Sequence, residues 1–144
     1  MKKSLLLFAL ISTICVSSYS QDNAEVKRVA LDYIEGFYQG DTLKINRSIH
    51  KNLSKFGYGI NQKSKKYVVH PMTYEGAINF ALGVQQNPKY AAPNDAVKKI
   101  EILDIQDKIA CVKLTVYWGI DYLLLAKEND KWMIVKVLWQ EVPE

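Results

Sequence analysis

The sequence predicts an α+β domain, with helices packed on one face of an antiparallel sheet. Three observations carry this. Apolar residues recur at helical spacing from Val26 to Phe37, a second helical stretch follows Thr73, and the last third of the chain alternates as four consecutive strands. The 144 residues, 49% hydrophobic and 24% charged, are enough for one domain with one core. That composition excludes a disordered chain and a collagen-like fibre.

The first twenty residues read as a leader. Lys2 and Lys3 precede an apolar run from Leu5 to Ile14, and Ser18-Tyr19-Ser20 places small residues before Gln21, so residues 1–20 are expected to be a cleaved signal peptide. The apolar run is shorter than the roughly 20 residues a membrane span needs. Lipidation at Cys15 is the alternative, opposed by Ile14 where a small residue is expected. The expected mature domain is 21–144, exported, most simply to the periplasm of a Gram-negative bacterium, with no membrane span left after cleavage. Losing Lys2 and Lys3 lowers the net charge from +4 to +2, too weak a field to imply a nucleic-acid partner. Cys111 is then the one remaining cysteine and reads as a buried structural thiol in a strand.

Each element has its own signal. Val26, Val29, Ala30, Tyr33, Ile34 and Phe37 form one helix face, with Asp22 or Asn23 to cap its start and Gly40 at its end. Asp41 reads as the N-cap of a short second helix that His50-Lys51-Asn52 closes. Short strands are expected at Phe56-Gly57-Tyr58-Gly59 and at 66–70. Thr73 caps a third helix carrying Ala77, Phe80, Ala81 and Val84, and Asn87-Pro88 stops it. Strands follow near 96–106, 109–118, 120–128 and 131–141, with turns at Asp107-Lys108 and Glu128-Asn129-Asp130. In the last strand, strict alternation sets Met133, Val135, Val137 and Trp139 on one face and Trp132, Ile134, Lys136 and Leu138 on the other. Both faces are partly apolar, so the outer face is expected to be covered by a second copy of the chain, as a homodimer.

Two stretches resemble a known family. Tyr33-Ile34-Glu35-Gly36-Phe37-Tyr38-Gln39-Gly40-Asp41 resembles the end of the first helix of nuclear transport factor 2-like domains, and Asp121 to Val135, DYLLLAKENDKWMIV, resembles their final hairpin. Within that superfamily the chain is most similar to the putative lumazine-binding family. The resemblance covers nearly all of residues 21–144. It implies a cone-shaped barrel, a curved antiparallel sheet wrapped around the N-terminal helices with a pocket inside, and pairing through the outer sheet face. It does not by itself imply a reaction, because such folds host enzymes, binders and scaffolds. The chain carries no flavin- or pterin-specific motif, and no cofactor is expected.

The ketosteroid isomerases share the implied fold and supply a test. Tyr33 matches their helix tyrosine, Asp121 lies near their sheet acid, and an ungapped count places Gly57 where their base should be. Glycine abstracts no proton, which opposes that mechanism. Tyr33 therefore reads as a hydrogen-bond donor lining the pocket, with an acid catalyst as the alternative. Of the two histidines, His50 is expected at a helix end and His70 in extended chain before Pro71; a dehydratase-like role for His50 stays open beside a capping role. Two separated histidines are too few for a metal site. Lys63, Lys65 and Lys66, joined by Lys51 and Lys55, read as a solvated basic loop.

The aromatic residues complete the picture. Tyr33, Phe37, Tyr58, Phe80, Trp118 and Trp139 are the expected ligand-binding set, with Trp118 at the end of the inward row Ala110, Val112, Leu114 and Val116. The leading expectation is a binding or scaffold domain that holds a small apolar or aromatic molecule. The alternatives are a cofactor-independent isomerase or dehydratase using Tyr33, His50 and Asp121, and an assembly module with a filled cone.

Overall fold

The protein is described by a computed structural model over residues 2–143, with side chains from residue 20 onward. The leader expected over residues 1–20 lies almost wholly outside the described side chains. Three helices and six strands follow in the order α1 (Lys2–Gln39), α2 (Thr42–Ser48), β1 (Ile49–Ile60), β2 (Tyr67–Val69), α3 (Tyr74–Gln86), β3 (Lys98–Ile105), β4 (Ile109–Val116), β5 (Gly119–Glu128) and β6 (Lys131–Gln140). One sheet holds all six strands in the order β2-β1-β6-β5-β4-β3. It is antiparallel except where β1 runs parallel to β6. The sheet is curved and unclosed, and the fold is α+β as the pattern predicts.

The core forms where the sequence places it. Val26, Val29, Ala30, Tyr33, Ile34 and Phe37 are all buried, against Ala110, Val112, Leu114 and Val116 of β4 and Leu123 and Leu125 of β5. Gly40 ends α1 at φ 71°, and a β-carbon there would meet the Ala81 carbonyl and the Gln85 amide at 2.5 Å. Glycine is thus required twice, for the left-handed backbone and for the approach of α3. Asp41 caps α2, its carboxylate accepting from the Leu43 and Lys44 amides at 3.0 Å. Thr73 caps α3 through the Gly76 amide. Asn129 and Asp130 both take positive φ at the β5–β6 turn, the geometry of a two-residue hairpin loop.

Four local expectations are corrected. The helix α1 runs unbroken through Asp22, so that residue is not a cap; its carboxylate accepts instead from Lys127 Nζ at 2.7 Å and Trp132 Nε1 at 2.9 Å, pinning the helix to the β5–β6 hairpin. His50 does not close α2. The backbone is already extended at Ile49, and His50 sits in β1. Cys111 faces outward on β4 and is half-buried rather than buried.

The fourth correction concerns β6. Leu125 pairs with Ile134 and Leu124 with Lys136, so Val135 is an extra residue in the strand. This bulge reverses the alternation. Trp132 and Ile134 face the core before it, Val137 and Trp139 after it, while Leu138 faces out. The sequence alternation had put Val137 and Trp139 with Met133 and Val135.

Candidate functional site

Strand β1 decides what sits at the mouth of the core. Alternation from Leu53 sends Lys55, Gly57 and Gly59 inward and Ser54, Phe56 and Tyr58 outward. Lys55 is therefore buried, 6% exposed, and is not part of a solvated basic loop with Lys63, Lys65 and Lys66. It meets two buried partners. Lys55 Nζ donates to Tyr33 Oη at 2.6 Å and to Asp121 Oδ2 at 3.1 Å. The Tyr33 hydroxyl donates to Asp121 Oδ2 at 2.7 Å, and Trp118 Nε1 donates to Asp121 Oδ1 at 2.7 Å. Asp121 is fully buried, yet three donors converge on its carboxylate, as a buried charge requires.

The electrostatics follow from the burial. Loss of solvent, and then the adjacent Asp121 charge, push the Tyr33 phenol well above its usual range, so it stays protonated and donating. Loss of solvent lowers Lys55 from the ordinary lysine range, and Asp121 pulls it partly back.

Above this network opens an apolar cleft of about 170 Å³, lined by Phe37, Lys55, Met72, Phe80, Trp118 and Trp139. Lys55 carries the one formal charge in that lining. The rings of Phe37, Trp118 and Trp139 lie 5.5, 5.7 and 5.1 Å from its Nζ, within cation–π reach. Phe37 joins Tyr33 at 4.9 Å, Trp118 at 5.9 Å and Phe80 at 5.5 Å between centroids, in tilted and edge-on contacts. Phe80, 49% exposed, stands at the rim.

The structure brings together Tyr33, Asp121, Phe37, Phe80, Trp118 and Trp139 from the sequence-predicted set. Two members fall elsewhere. Tyr58 packs on the outer face, edge-on to Phe56 at 5.6 Å. His50 lies at the other end of the sheet, where Nδ1 accepts from the Asn52 amide and Nε2 approaches Glu128 at 3.7 Å. Glu128 is seven residues along β5 from Asp121, roughly 23 Å at strand rise, so His50 does not share a ligand with Tyr33 and Asp121. Tyr33 is fully buried, and its single proton is spent on Asp121. Lys55 is the residue the sequence reading missed; its signal was the parity it shares with Leu53, opposite the outward Phe56 and Tyr58.

Among the described residues, no group of three or more His, Cys, Asp or Glu is placed to hold a metal ion. No helix there is long and apolar enough to cross a membrane.

Comparison with known proteins gives the same fold. Residues 21–140 match the model of a family described as "Putative lumazine-binding". No protein of curated function matches the chain. Among solved structures, an NTF2-like protein of unknown function from Shewanella baltica OS155 is 20% identical, with TM-score 0.65, covering 88% of this chain and 98% of its own. One from Silicibacter pomeroyi DSS-3 is 17% identical, with TM-score 0.63, covering 86% and 98%. A third, from Methylobacillus flagellatus KT, is 22% identical, with TM-score 0.60, covering 85% and 94%. At these identities the likeness is one of fold.

Proposed function

The chain belongs to the Putative lumazine-binding family, within the NTF2-like superfamily, and from that premise we propose that it is an exported small-ligand-binding domain without chemistry of its own. The cleft carries this reading: aromatic walls over a single buried cation. Its size limits the occupant. An enclosed apolar cavity of about 150 Å³ admits benzene, and drug-sized ligands need about 300 Å³ or more. A cleft of about 170 Å³ therefore suits a molecule that inserts one aromatic ring or a comparable apolar group. Trp118 and Trp139 supply the walls, and of the buried network Lys55 and Trp118, but not Tyr33 or Asp121, line the cleft. Export rests on the leader-like run after Lys2 and Lys3.

The outer sheet face supports a homodimer. Phe56, Tyr58, Tyr122, Leu124 and Leu138 are each between 38% and 53% exposed on neighbouring strands β1, β6 and β5. A contiguous apolar patch of this kind is what an interface between copies covers.

An isomerase or dehydratase is the second reading, favoured by the Tyr33–Asp121 contact. It lacks a free base in the cleft, since Asp121 is held by Lys55, Tyr33 and Trp118 and position 57 is glycine. Native mass spectrometry of the protein purified from the periplasm, followed by denaturing analysis of whatever is released, tests the binding reading. A dimer with a reproducible bound small molecule supports it. A protein that turns over ketosteroid-type substrates would replace it with the second.

A further inference from the structure

We propose that the cleft selects an uncharged aromatic hydrocarbon ring and rejects the polar fused heterocycle named in the family's description. This rests on the ligand-binding reading above and names the chemical class of the ligand.

The polar groups nearest the cleft are closed on one another. Lys55 Nζ donates to Tyr33 Oη and Asp121 Oδ2, and Tyr33 donates to the same carboxylate. Trp118 gives its single N–H to Asp121 Oδ1. Lys55 and Asp121 form a buried ion pair at 3.1 Å, so the network offers the cleft no net charge. Trp139 Nε1 is buried with no hydrogen-bond partner among the described residues. It lies against Gly57, where a β-carbon would come within 2.4 Å of it. Phe37 and Phe80 carry no polar side-chain atom, and Met72 has only a thioether. The cleft therefore presents no polar surface, although a lysine and two tryptophans line it.

Such walls favour an aromatic occupant. Phe37 already meets Phe80 and Trp118 in tilted and edge-on contacts, the orientations that a further ring extends. The Met72 sulfur adds a favourable contact with a ring edge. The volume of about 170 Å³ is little above the roughly 150 Å³ that takes benzene. A carbonyl, an N–H or an ionised group carried in with the ring finds no partner. Each one lowers affinity by at least about fivefold. Lumazine is a fused two-ring system edged with carbonyl and N–H groups, so its size and its polarity both oppose entry. A polar substituent fits only where it points out past the half-exposed Phe80 to solvent.

The test titrates toluene, uracil and lumazine into the full mature protein, with the tryptophan indoles labelled for NMR. Trp118 and Trp139 line the cleft, while Trp132 is buried beside Asp22 and serves as the internal control. Toluene should shift the Trp118 and Trp139 signals and leave Trp132 in place. Uracil, a single ring of similar size with two carbonyls and two N–H groups, separates polarity from size. It should bind at least about a hundredfold more weakly than toluene, and so should lumazine. Phe80→Ala removes one wall and should weaken toluene about two- to tenfold. Uracil or lumazine shifting the cleft signals as readily as toluene overturns the selectivity and leaves the ligand-binding reading standing. No shift of Trp118 or Trp139 with any of the three overturns both. Toluene binding that Phe80→Ala leaves unchanged places the ring outside the cleft and also overturns both.

Discussion

The indole of Trp139 lies directly against Gly57, so close that a β-carbon at position 57 would overlap its Cγ, Cδ1 and Nε1. The two residues are register partners across the parallel β1–β6 pair. The space where a side chain at position 57 would project is filled by a tryptophan that forms one wall of the cleft. This explains in physical terms why no base stands there: the wall and the base are mutually exclusive.

Gly57→Ala is accordingly an overpacking change. The indole also lines the cleft, so Trp139 should swing toward that space. The expected cost is about 1–3 kcal/mol. Urea denaturation followed by circular dichroism measures it. Benzyl alcohol, whose single ring suits the cleft, should quench tryptophan fluorescence in the natural sequence and much less in the variant. Wild-type binding together with wild-type stability would show that the indole has another place to go.

Tyr33→Phe tests the buried network. The ring and its contacts with Phe37 and Trp118 stay, while one acceptor of Lys55 and one donor to Asp121 disappear. Hydrogen bonds to charged groups contribute about 1.5–3 kcal/mol each, and here the ion pair and the Trp118 bond remain to limit the damage. A loss of about 2 kcal/mol in urea is expected. A neutral result would mean that water replaces the hydroxyl.

The outer face gives a prediction that separates assembly from folding. Leu138 is 53% exposed in the single chain, so Leu138→Asp should leave its stability within about 0.5 kcal/mol, as for most surface changes. If a second copy covers that face, the buried aspartate dissociates it, because a charge without a partner is costly to bury. Sedimentation equilibrium at micromolar concentration should show a dimer for the natural sequence and a monomer for the variant. A dimer in both would move the interface elsewhere.

Much of the fold was legible because local signals agreed. Asp41 and Thr73 cap the helices that the sequence assigns them, and the apolar face of α1 is buried to the last residue. The site was half legible. Tyr33, Asp121 and Trp118 meet through elements far apart in the chain, and the family resemblance had paired the first two. Lys55 escaped because a lysine among other lysines reads as surface, and burial depends on a partner that sequence does not display. The Val135 bulge escaped because an extra residue in a strand leaves no mark in composition; it reverses the side-chain alternation that follows. Tyr58 was misplaced for a simpler reason. Its aromatic ring fits a pocket and an interface equally well, and only its parity with Phe56 decides.

Acid should weaken the protein through the carboxylates that tie α1 to its neighbours. Hydrogen bonds from Arg47, with Arg28 beside it, hold Asp32 below the ordinary 3.8. Lys44, then Lys98, hold Glu35 below 4.5, and Lys127 with Trp132 hold Asp22 below 3.8. In each case the unfolded chain binds the proton more readily than the folded one. The stabilisation is therefore complete above those ordinary values and is lost as the pH falls through the lower, folded-state values. Arg47→Met removes the largest cause of the Asp32 shift while Arg28 Nη1 remains at 3.0 Å. It should lower the urea midpoint at pH 7, and the gap to the natural sequence should narrow as the pH falls and Asp32 takes up its proton. Parallel curves, with the same gap at every pH, would mean that Arg47 acts by packing its aliphatic stem and not by its charge.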